Sequence, residues 1–322
     1  MKRRLRDYFK VDKELVIVFL LVAVAGIIFY FVSNQRAFLN FFYLPVLIGA
    51  YFFGKRYATQ SALLSIILVF VIAYYYPQTF TFEMNTDFYR WLDILTWGGF
   101  LMVTGYFMGH LYEKKESANR EIKQTYQGII EMLSLVIDSV DKETQSHSYR
   151  VSVISEMIAK EMGLSDHSVE NIRAAALLHD LGKLGVSNEI LNKIGSLNAS
   201  EREHMKIHTT YGAGMMQPVG GKILEILPFV LYHHEKYDGS GYHKMVGADI
   251  PLGARIIAVA DVYDSLISDR PYRKGLSPFV AKQEITDHSG THFDPKVVDV
   301  FVSISEKVDS EIPLLPRGRV SR

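Results

Sequence analysis

Side chains that could bind metal ions are concentrated in the second half of this sequence. Ten of the eleven histidines follow residue 112, and the chain of 322 residues contains no cysteine. Disulfide scaffolds, zinc fingers, thiolate clusters and cysteine nucleophiles are therefore excluded. Any metal centre must use histidine and carboxylate ligands, and the candidates are Glu143, His147, His179, Asp180, His208, His233, His234 and Asp261.

The spacing of these residues suggests that helices bring them together. Glu143 and His147 are four residues apart and would share one face if that segment is helical. His179 comes seven residues after Ile172, on the same predicted buried side, and Asp180 follows directly. Each residue alone has a structural explanation, such as a buried histidine bonded to the backbone or an aspartate paired with an arginine. Eight together are harder to explain this way, because buried charges are costly unless they are paired or bind metal.

Eight ligands are too many for one ion, and they suit two metals about 3.5–4 Å apart, or three. A ligand set of histidine and carboxylate without thiolate favours Mn, Fe or Zn, and its hard oxygen ligands favour Mn or Fe. A metal pair of this kind activates water and holds a phosphoryl group for in-line attack. The spacing therefore predicts a metal-dependent phosphoester hydrolase.

The elements that position these residues are predicted to be helices. Apolar residues recur at intervals of three and four through the second half, and no stretch alternates for long enough to form a strand. Asn198 and Glu201 have the spacing of a capping box, and Ser165 precedes an amphipathic run, so helices are expected to begin there. The glycines expected at helix ends and turns are Gly182, Gly195, Gly212 and Gly275.

The first half has a different composition. Residues 1–112 contain ten Lys and Arg against six Asp and Glu, a net charge of +4, and residues 113–322 contain 25 against 29, a net charge of −4. This overall balance excludes a globally basic nucleic-acid binder. Apolar stretches predict four transmembrane helices at about 15–33, 37–54, 57–76 and 94–112. The basic residues between and beside these spans place both termini in the cytoplasm.

The sequence predicts four parts of the chain. Residues 1–112 form a transmembrane sensor or anchor, 113–128 a helical connector, 129–310 the domain of the predicted phosphoester hydrolase and 311–322 a flexible tail. The connector fits a helix that pairs with a partner chain, or alternatively a solvated linker helix. Its apolar residues at helical spacing are Leu111, Ala118, Ile122, Thr125 and Ile129.

Several segments of the second half together resemble the HD-GYP family, a branch of the HD phosphohydrolase superfamily. They are DKETQSHSYRV, LLHDLGKLGV, HHEKYDGSGYH, IPLGARIIAVADVYDSLISDRPYRK and THFDP, in this order, within about residues 129–308. The resemblance implies an all-helical domain that hydrolyses cyclic dinucleotides, chiefly cyclic di-GMP, to pGpG and GMP. We therefore expect a bundle of about four transmembrane helices in a bacterial inner membrane, followed by a cytoplasmic HD-type domain.

The resemblance also implies roles for individual residues. His179 and Asp180 are paired metal ligands, Asp180 bridges two ions, and Lys183 contacts the scissile phosphate. Glu143 occupies a position that lets some members hold a third metal. The remaining metal ligands are His147, His208, His233, His234 and Asp261. The substrate-binding residues are Lys183, Arg270 and Arg273 at the phosphates, with Asp238, Gly239, Gly241 and Tyr242 in the loop.

One residue departs from the family pattern. His243 stands where the family has proline, which removes the rigidity of the proline ring from this loop. The change leaves every metal position filled and leaves the substrate preference open. The alternatives are an HD-type hydrolase of a mixed cyclic dinucleotide or of a linear nucleotide, and a catalytically silent receptor. The expected partners are cyclic di-GMP, a second copy of this chain through the connector and membrane helices, a diguanylate cyclase and the lipid bilayer, but no nucleic-acid polymer.

Overall fold

The structure is a computed structural model that describes residues 13–31, 39–77, 87–140, 146–193, 195–269 and 274–312. Glu143, Arg270 and Arg273 lie outside these ranges, as does the tail from residue 313. The described residues form helices and loops without a β-strand, so the all-helical prediction is confirmed. The helices are α1 Lys13–Phe31, α2 Tyr43–Phe53, α3 Lys55–Tyr75, α4 Asp87–Val140, α5 His147–Glu161, α6 Asp166–Leu178, α7 Asn188–Leu191, α8 Ala199–Met216, α9 Ile223–Leu231, α10 Leu252–Ile267, α11 Pro278–Asp287 and α12 Pro295–Glu311.

The chain divides into two compact units, Met1–Lys123 and Gln124–Arg322. The division falls within the predicted connector at 113–128, and these residues lie inside the continuous helix α4. Each unit has its own hydrophobic core.

Helix α3 of the first unit packs mostly small side chains inward and exposes large apolar ones. A Cβ at Gly109 of α4 would lie 2.4 Å from the Cα atom of Lys55, so this close approach requires glycine. Large apolar side chains on the opposite side of α3, such as Ile67 and Phe70, are exposed. The buried residues of α3 are mostly small, namely Ala58, Ser61, Ala62, Ser65, Val69 and Ala73.

Within the described ranges, α3 alone combines the length and hydropathy of a membrane-crossing helix, and one such helix is weak evidence for a membrane protein. The span predicted at 37–54 corresponds to a shorter apolar segment, Leu39–Phe53. The span predicted at 94–112 is part of the much longer helix α4 rather than a separate helix. The arrangement with four spans is not confirmed and stays a prediction.

The second unit is built around α5 and α10. Helix α5 packs against α6, α10 and α12. Of the apolar residues that recur at helical spacing, Ile154, Ile158, Ile256 and Ile257 are fully buried, whereas Leu135 is exposed. Burial of a large aliphatic side chain stabilises a fold by about 1.5–3 kcal/mol, so these positions fix the helices that carry the candidate ligands.

The predicted helix starts are confirmed. The Asn198 side chain accepts a hydrogen bond from the Glu201 N–H, and the Glu201 carboxylate accepts one from the Asn198 N–H, both at 2.8 Å. Together they form the capping box that begins α8. Ser165 caps α6 through the N–H of Ser168.

The prediction for Gly212 was wrong. Gly195 and Gly275 lie in loops and Gly182 lies in the short 3₁₀ helix Leu181–Gly185, but Gly212 is inside α8. A Cβ at Gly212 would lie 3.0 Å from the Gly182 nitrogen. Glycine is therefore present in mid-helix because another segment packs directly on its backbone.

The helical face predicted for Glu143 and His147 involves a residue outside the described ranges and stays a prediction. Helix α5 begins at His147, and Ser146 before it has a φ of 67° in the left-handed region. A third metal ligand at Glu143 stays a prediction.

Candidate metal centre

Seven of the eight predicted metal ligands lie in the described part of the chain, and several helices contribute them. His147 begins α5, and the pair His179 and Asp180 follows α6 directly. His208 lies inside α8 and Asp261 inside α10. The pair His233 and His234 follows the end of α9. Side chains far apart in sequence therefore meet where several helices pack together.

Three of the histidine rings are oriented in the same way. The Nδ1 atoms of His179, His208 and His233 lie 2.6–2.8 Å from the backbone carbonyl three residues earlier, at Ala176, Met205 and Val230 respectively. A carbonyl only accepts, so each Nδ1 carries a proton, and in the neutral ring Nε2 has the lone pair that can bind a metal. Ligating histidines commonly donate their second ring nitrogen in this way.

The fourth ring is held by a carboxylate from another helix. The Nδ1 atom of His147 donates to Asp264 Oδ2 at 2.8 Å, and Arg150 Nη2 donates to the same oxygen at 2.8 Å. The other ring nitrogen, Nε2, lies 3.2 Å from Asp261 Oδ1. Asp264 thus orients the His147 ring toward Asp261, which is the role of a carboxylate behind a metal-binding histidine.

The candidate ligands form three groups, and the group that contains Asp180 overlaps the other two through His179 and His233. Within each group, one ligand atom per residue lies within 4.8 Å of the others. One oxygen of Asp180 lies 3.2 Å from His179 Nε2, and the other lies 3.6 Å from His208 Nε2. Asp180 therefore has one oxygen toward each side of the centre. The groups are His147, His179 and Asp261; His208, His233 and His234; and His179, Asp180 and His233.

The electrostatics of the side formed by His208, His233 and His234 suit metal binding at neutral pH. Burial lowers the pKa of His208, and burial with neighbouring imidazoles lowers the pKa of His233 and His234, the last to about 3. These rings are therefore neutral near pH 7. Neutral imidazole is the form that binds a metal ion, so no proton has to leave this side of the centre.

The other side, formed by His147, His179 and Asp261, holds a proton more tightly. Burial alone lowers the pKa of His147, but hydrogen bonds to Asp261 and Asp264 outweigh it and raise this pKa to about 10. Burial alone raises the pKa of Asp180, but the charge of His179 opposes it and the pKa is held well below its usual range. A divalent ion must therefore displace a proton from His147, whereas the carboxylate of Asp180 is already ionised.

A close contact between backbones places Asp180 beside α8. A Cβ at Gly182 would lie 1.7 Å from the carbonyl oxygen of His208 and 2.5 Å from the Gly212 nitrogen. Any side chain at 182 would push the 3₁₀ helix away from α8. The Lys183 Nζ atom lies 2.9 Å from Asp180 Oδ2, so a positive charge lies next to the Asp180 carboxylate.

The predicted substrate loop has one side chain against the centre. The Tyr242 ring lies 4.9 Å from the His234 ring, centroid to centroid. Asp238 accepts a hydrogen bond from the Ser240 N–H at 2.8 Å, and Gly239 has a φ of 84°. A Cβ at Gly241 would lie 2.6 Å from backbone atoms of the preceding turn. Asp238, Gly239 and Gly241 therefore shape the loop, whereas Tyr242 contacts a candidate ligand.

Buried Glu235 ties this loop together. Its Oε1 atom accepts from the His243 N–H at 2.6 Å, and its Oε2 atom accepts from the Met245 N–H at 2.8 Å. The His243 ring lies beside α8, where its Nε2 atom is 3.4 Å from Thr209 Oγ1. The Thr209 hydroxyl donates to the carbonyl of Lys206, so the His243 Nε2 atom donates in this pair.

Sequence reasoning missed three residues that support the centre: Asp264, Arg150 and Glu235. Asp264 follows Asp261 by three positions and Arg150 follows His147 by three, so each pair shares a helix face. That spacing could have indicated a second carboxylate and its partner behind His147. The role of Glu235 has no comparable signal, because it depends on the conformation of the loop. Glu143, Arg270 and Arg273 lie outside the described residues.

Comparison with known proteins identifies the family. The sequence model of the HD domain family matches residues 129–297, and the chain therefore belongs to the HD domain family. Family membership implies divalent metal binding, which the histidine and aspartate groups fit. The resemblance to HD-GYP proteins is confirmed by relatives that are named cyclic di-GMP phosphodiesterases.

The chain is similar to several curated proteins over its second half. It is 38% identical to a cyclic di-GMP phosphodiesterase of Thermotoga maritima, over 56% of this chain and 50% of the relative. It is 34% identical to the cyclic di-GMP phosphodiesterase response regulator RpfG of Xanthomonas campestris, over 60% and 51%. It is 32% identical to the 3′3′-cGAMP-specific phosphodiesterase 2 of Vibrio cholerae, over 56% and 35%. The chain thus spans about half or less of these relatives.

A solved structure is also similar to this chain. The crystal structure of the cyclic GMP-AMP-specific phosphodiesterase V-cGAP3 of Vibrio cholerae matches with a TM-score of 0.44 and 23% identity. The match covers 56% of this chain and 50% of that chain.

Proposed function

We propose that this chain is a metal-dependent phosphodiesterase that hydrolyses cyclic di-GMP to pGpG and GMP. The observation that carries the proposal is a pair of ligand groups linked by a third group, His179, Asp180 and His233, with Lys183 beside the Asp180 carboxylate. The relatives named cyclic di-GMP phosphodiesterases support the choice of substrate.

In this proposal the protein holds two divalent ions, Fe or Mn. His147, His179 and Asp261 would hold one ion, His208, His233 and His234 the other, and Asp180 would bridge them. Glu143 is the proposed ligand for a third ion. Divalent ions here would activate water and neutralise charge on the phosphate oxygens.

The residues of the chain then bind and orient the phosphodiester. Lys183 would stabilise the negative charge that grows on the phosphate oxygens. Arg270 and Arg273 are proposed phosphate ligands, because guanidinium groups match phosphate oxygens. Tyr242 beside His234 would contact the substrate, on a loop shaped by Asp238, Gly239 and Gly241.

Each turnover adds one water across one phosphodiester. The water oxygen bonds to phosphorus, the bond from phosphorus to the 3′ oxygen breaks, and a proton passes to that 3′ oxygen. The first hydrolysis opens the ring to pGpG and the second gives two molecules of GMP.

A second substrate is favoured by a specific observation. Relatives named 3′3′-cGAMP-specific are 32–35% identical to this chain, close to those named for cyclic di-GMP at 32–38%. His243 also changes the loop in which Tyr242 lies. A mixed cyclic dinucleotide is therefore the alternative substrate, followed by a linear nucleotide and by binding without hydrolysis.

We also propose that the first half is a multi-pass anchor or sensor in the bacterial inner membrane, with both termini cytoplasmic. In α3, small side chains face the core while large apolar side chains such as Ile67 and Phe70 are exposed. Lipid-facing helices have this distribution, because hydrocarbon tails solvate large apolar side chains and small residues allow helices to approach.

A second copy of the chain is the proposed partner of α4. Ile122, Ile129 and Val136 are spaced by seven residues and are exposed, and Met132 between them is exposed as well. A different face of the same helix packs into the core, at Tyr126, Ile130, Leu133 and Ile137. β-branched residues repeating every seven positions favour a two-stranded coiled coil.

One experiment tests the catalytic proposal. The full chain is purified anaerobically in detergent, its Mn, Fe and Zn are measured, and it is incubated with cyclic di-GMP, 3′3′-cGAMP and pGpG. We expect two or three ions per chain, with pGpG and GMP formed from cyclic di-GMP. A variant with His179→Ala and Asp180→Ala should lose ions and turnover together, because Asp180 belongs to both sides of the centre.

The outcomes separate the alternatives. Full turnover in the double variant contradicts the assignment of the centre. Bound ions without any product favour a silent receptor. Faster hydrolysis of 3′3′-cGAMP than of cyclic di-GMP assigns the mixed cyclic dinucleotide as substrate.

A further inference from the structure

A buried carboxylate near the end of α4 lies close to the metal centre without being one of its predicted ligands. Asp138 is 7% exposed, in the last turn of α4. Burial raises its pKa, and hydrogen bonds and the nearby His147 oppose this rise. A buried carboxylate is costly unless it accepts hydrogen bonds, and two groups donate to Asp138.

The two oxygens of Asp138 bind the residues on either side of His147. Oδ2 accepts from the Ser146 N–H and Oδ1 accepts from the Ser148 hydroxyl, both at 2.9 Å. Ser146 is the left-handed residue that precedes α5, and its carbonyl accepts the first hydrogen bond of that helix from the Arg150 N–H. The carboxylate therefore fixes the backbone at the point where α5 begins.

His147 is thus restrained from two directions. Asp264 of α10 orients the ring through Nδ1, and Asp138 of α4 holds the backbone that carries the ring. A ligand must be placed within about 0.5 Å for a metal site to work, so both restraints affect the position of Nε2.

We propose that Asp138 is a positioning residue for His147 and sets the metal affinity of one side of the centre. The proposal rests on the metal centre described above but not on the identity of the substrate. Since Asp138 belongs to the last turn of α4, a displacement of that turn moves His147. The side formed by His208, His233 and His234 has no residue from α4, so its metal affinity should not change.

The test is a titration of the metal-free full chain with Mn²⁺, followed by calorimetry and by the electron paramagnetic resonance of bound Mn²⁺. His147→Ala and His208→Ala provide reference titrations in which one side or the other is removed. We expect Ser148→Ala and Asp138→Ala to lower the affinity for one of the two Mn²⁺ ions by about tenfold or more, the range for lost outer hydrogen bonds. The ion that weakens should be the one missing in His147→Ala.

Asp309→Asn is the matched control, because Asp309 also accepts a hydroxyl hydrogen bond, from Tyr263, in the same unit. This variant should keep both Mn²⁺ affinities. Ser148→Ala keeps the carboxylate and serves if Asp138→Ala does not fold. Unchanged Mn²⁺ affinities, or an equal loss at both sites, would overturn the proposal. Binding of two ions without hydrolysis of cyclic di-GMP would reject the proposed function and leave the role of Asp138 intact.

Discussion

At the scale of single residues, hydrogen bonds hold the loop after His234, where the family pattern has a proline. The His243 N–H donates to Glu235, and the His243 ring donates to Thr209, the residue after the candidate ligand His208. Glu235 is 3% exposed, so its carboxylate depends on the backbone donors of this loop. The missing proline is therefore replaced by a histidine whose backbone and ring both make contacts.

Replacing His243 by the proline of the family pattern should lower the stability of this protein. His243→Pro removes the N–H that donates to Glu235, and a buried acceptor that loses its donor costs about 1–3 kcal/mol. We expect a lower free energy of unfolding in urea and weaker binding of a non-hydrolysed cyclic dinucleotide. His243→Ala keeps the N–H and is the control, with a smaller loss. A proline variant as stable as the wild-type protein would contradict the role assigned to Glu235.

At the scale of elements, the centre depends on how closely the 3₁₀ helix Leu181–Gly185 approaches α8. Gly182 lies directly on the backbone of that helix, so Asp180 and His208 become neighbours. Gly212 provides the matching space on α8. Two glycines in different elements therefore set the distance between Asp180 and His208.

Gly182→Ala should separate these elements. Its Cβ would lie 1.7 Å from a backbone oxygen, which neither element can accommodate without moving. We expect a loss of about 1–3 kcal/mol in the free energy of unfolding, as for other overpacked sites, together with weaker metal binding.

Gly214→Ala is the control in the same helix, because a Cβ there meets nothing within 4 Å. Alanine in a helix interior is about 0.5–1 kcal/mol more favourable than glycine, so this variant should be as stable as the wild-type protein or more stable. Thermal unfolding and Mn²⁺ titration of both variants provide the measurement. Equal effects at 182 and 214 would contradict the close approach.

The sequence was sufficient for features that depend on neighbours along the chain. The capping box of Asn198 and Glu201 and the burial of Ile256 and Ile257 follow from local spacing, and the structure confirms them. The contact between Asp264 and His147 depends on the packing of α10 against α5, which one sequence does not specify. The position of Gly212 inside α8 also depends on packing, against Gly182, so the sequence alone did not indicate it.

At the scale of the whole molecule, α4 belongs to both compact units and has two apolar faces. One face packs into the core of the second unit, and the other exposes Ile122, Ile129 and Val136 at heptad spacing. A single chain does not cover this second face in the part that the structure describes. The proposed dimer would bury it.

Charges on this face should break the dimer. Ile122→Asp and Ile129→Asp place carboxylates in the proposed seam, and we expect the dissociation constant of the dimer to rise by tenfold or more. Gln124→Asp, on the exposed helix surface away from both apolar faces, is the control and should leave the dimer unchanged. Sedimentation of the full chain in detergent measures the dissociation constant of the dimer for the wild-type protein and the three variants. A wild-type monomer, or identical behaviour of seam and control variants, would contradict the pairing.

The backbone carbonyls behind His179, His208 and His233 have a consequence for how the protein acquires its ions. Each ring is already set by its own helix or turn, so an arriving ion finds the nitrogen atoms in place and does not have to reorganise them. Ions of similar size and charge can then replace one another without refolding of the site. Under the proposed function, the metal that the site carries would then follow the supply of iron and manganese, and a shift in that supply would change the enzyme without any change in its sequence.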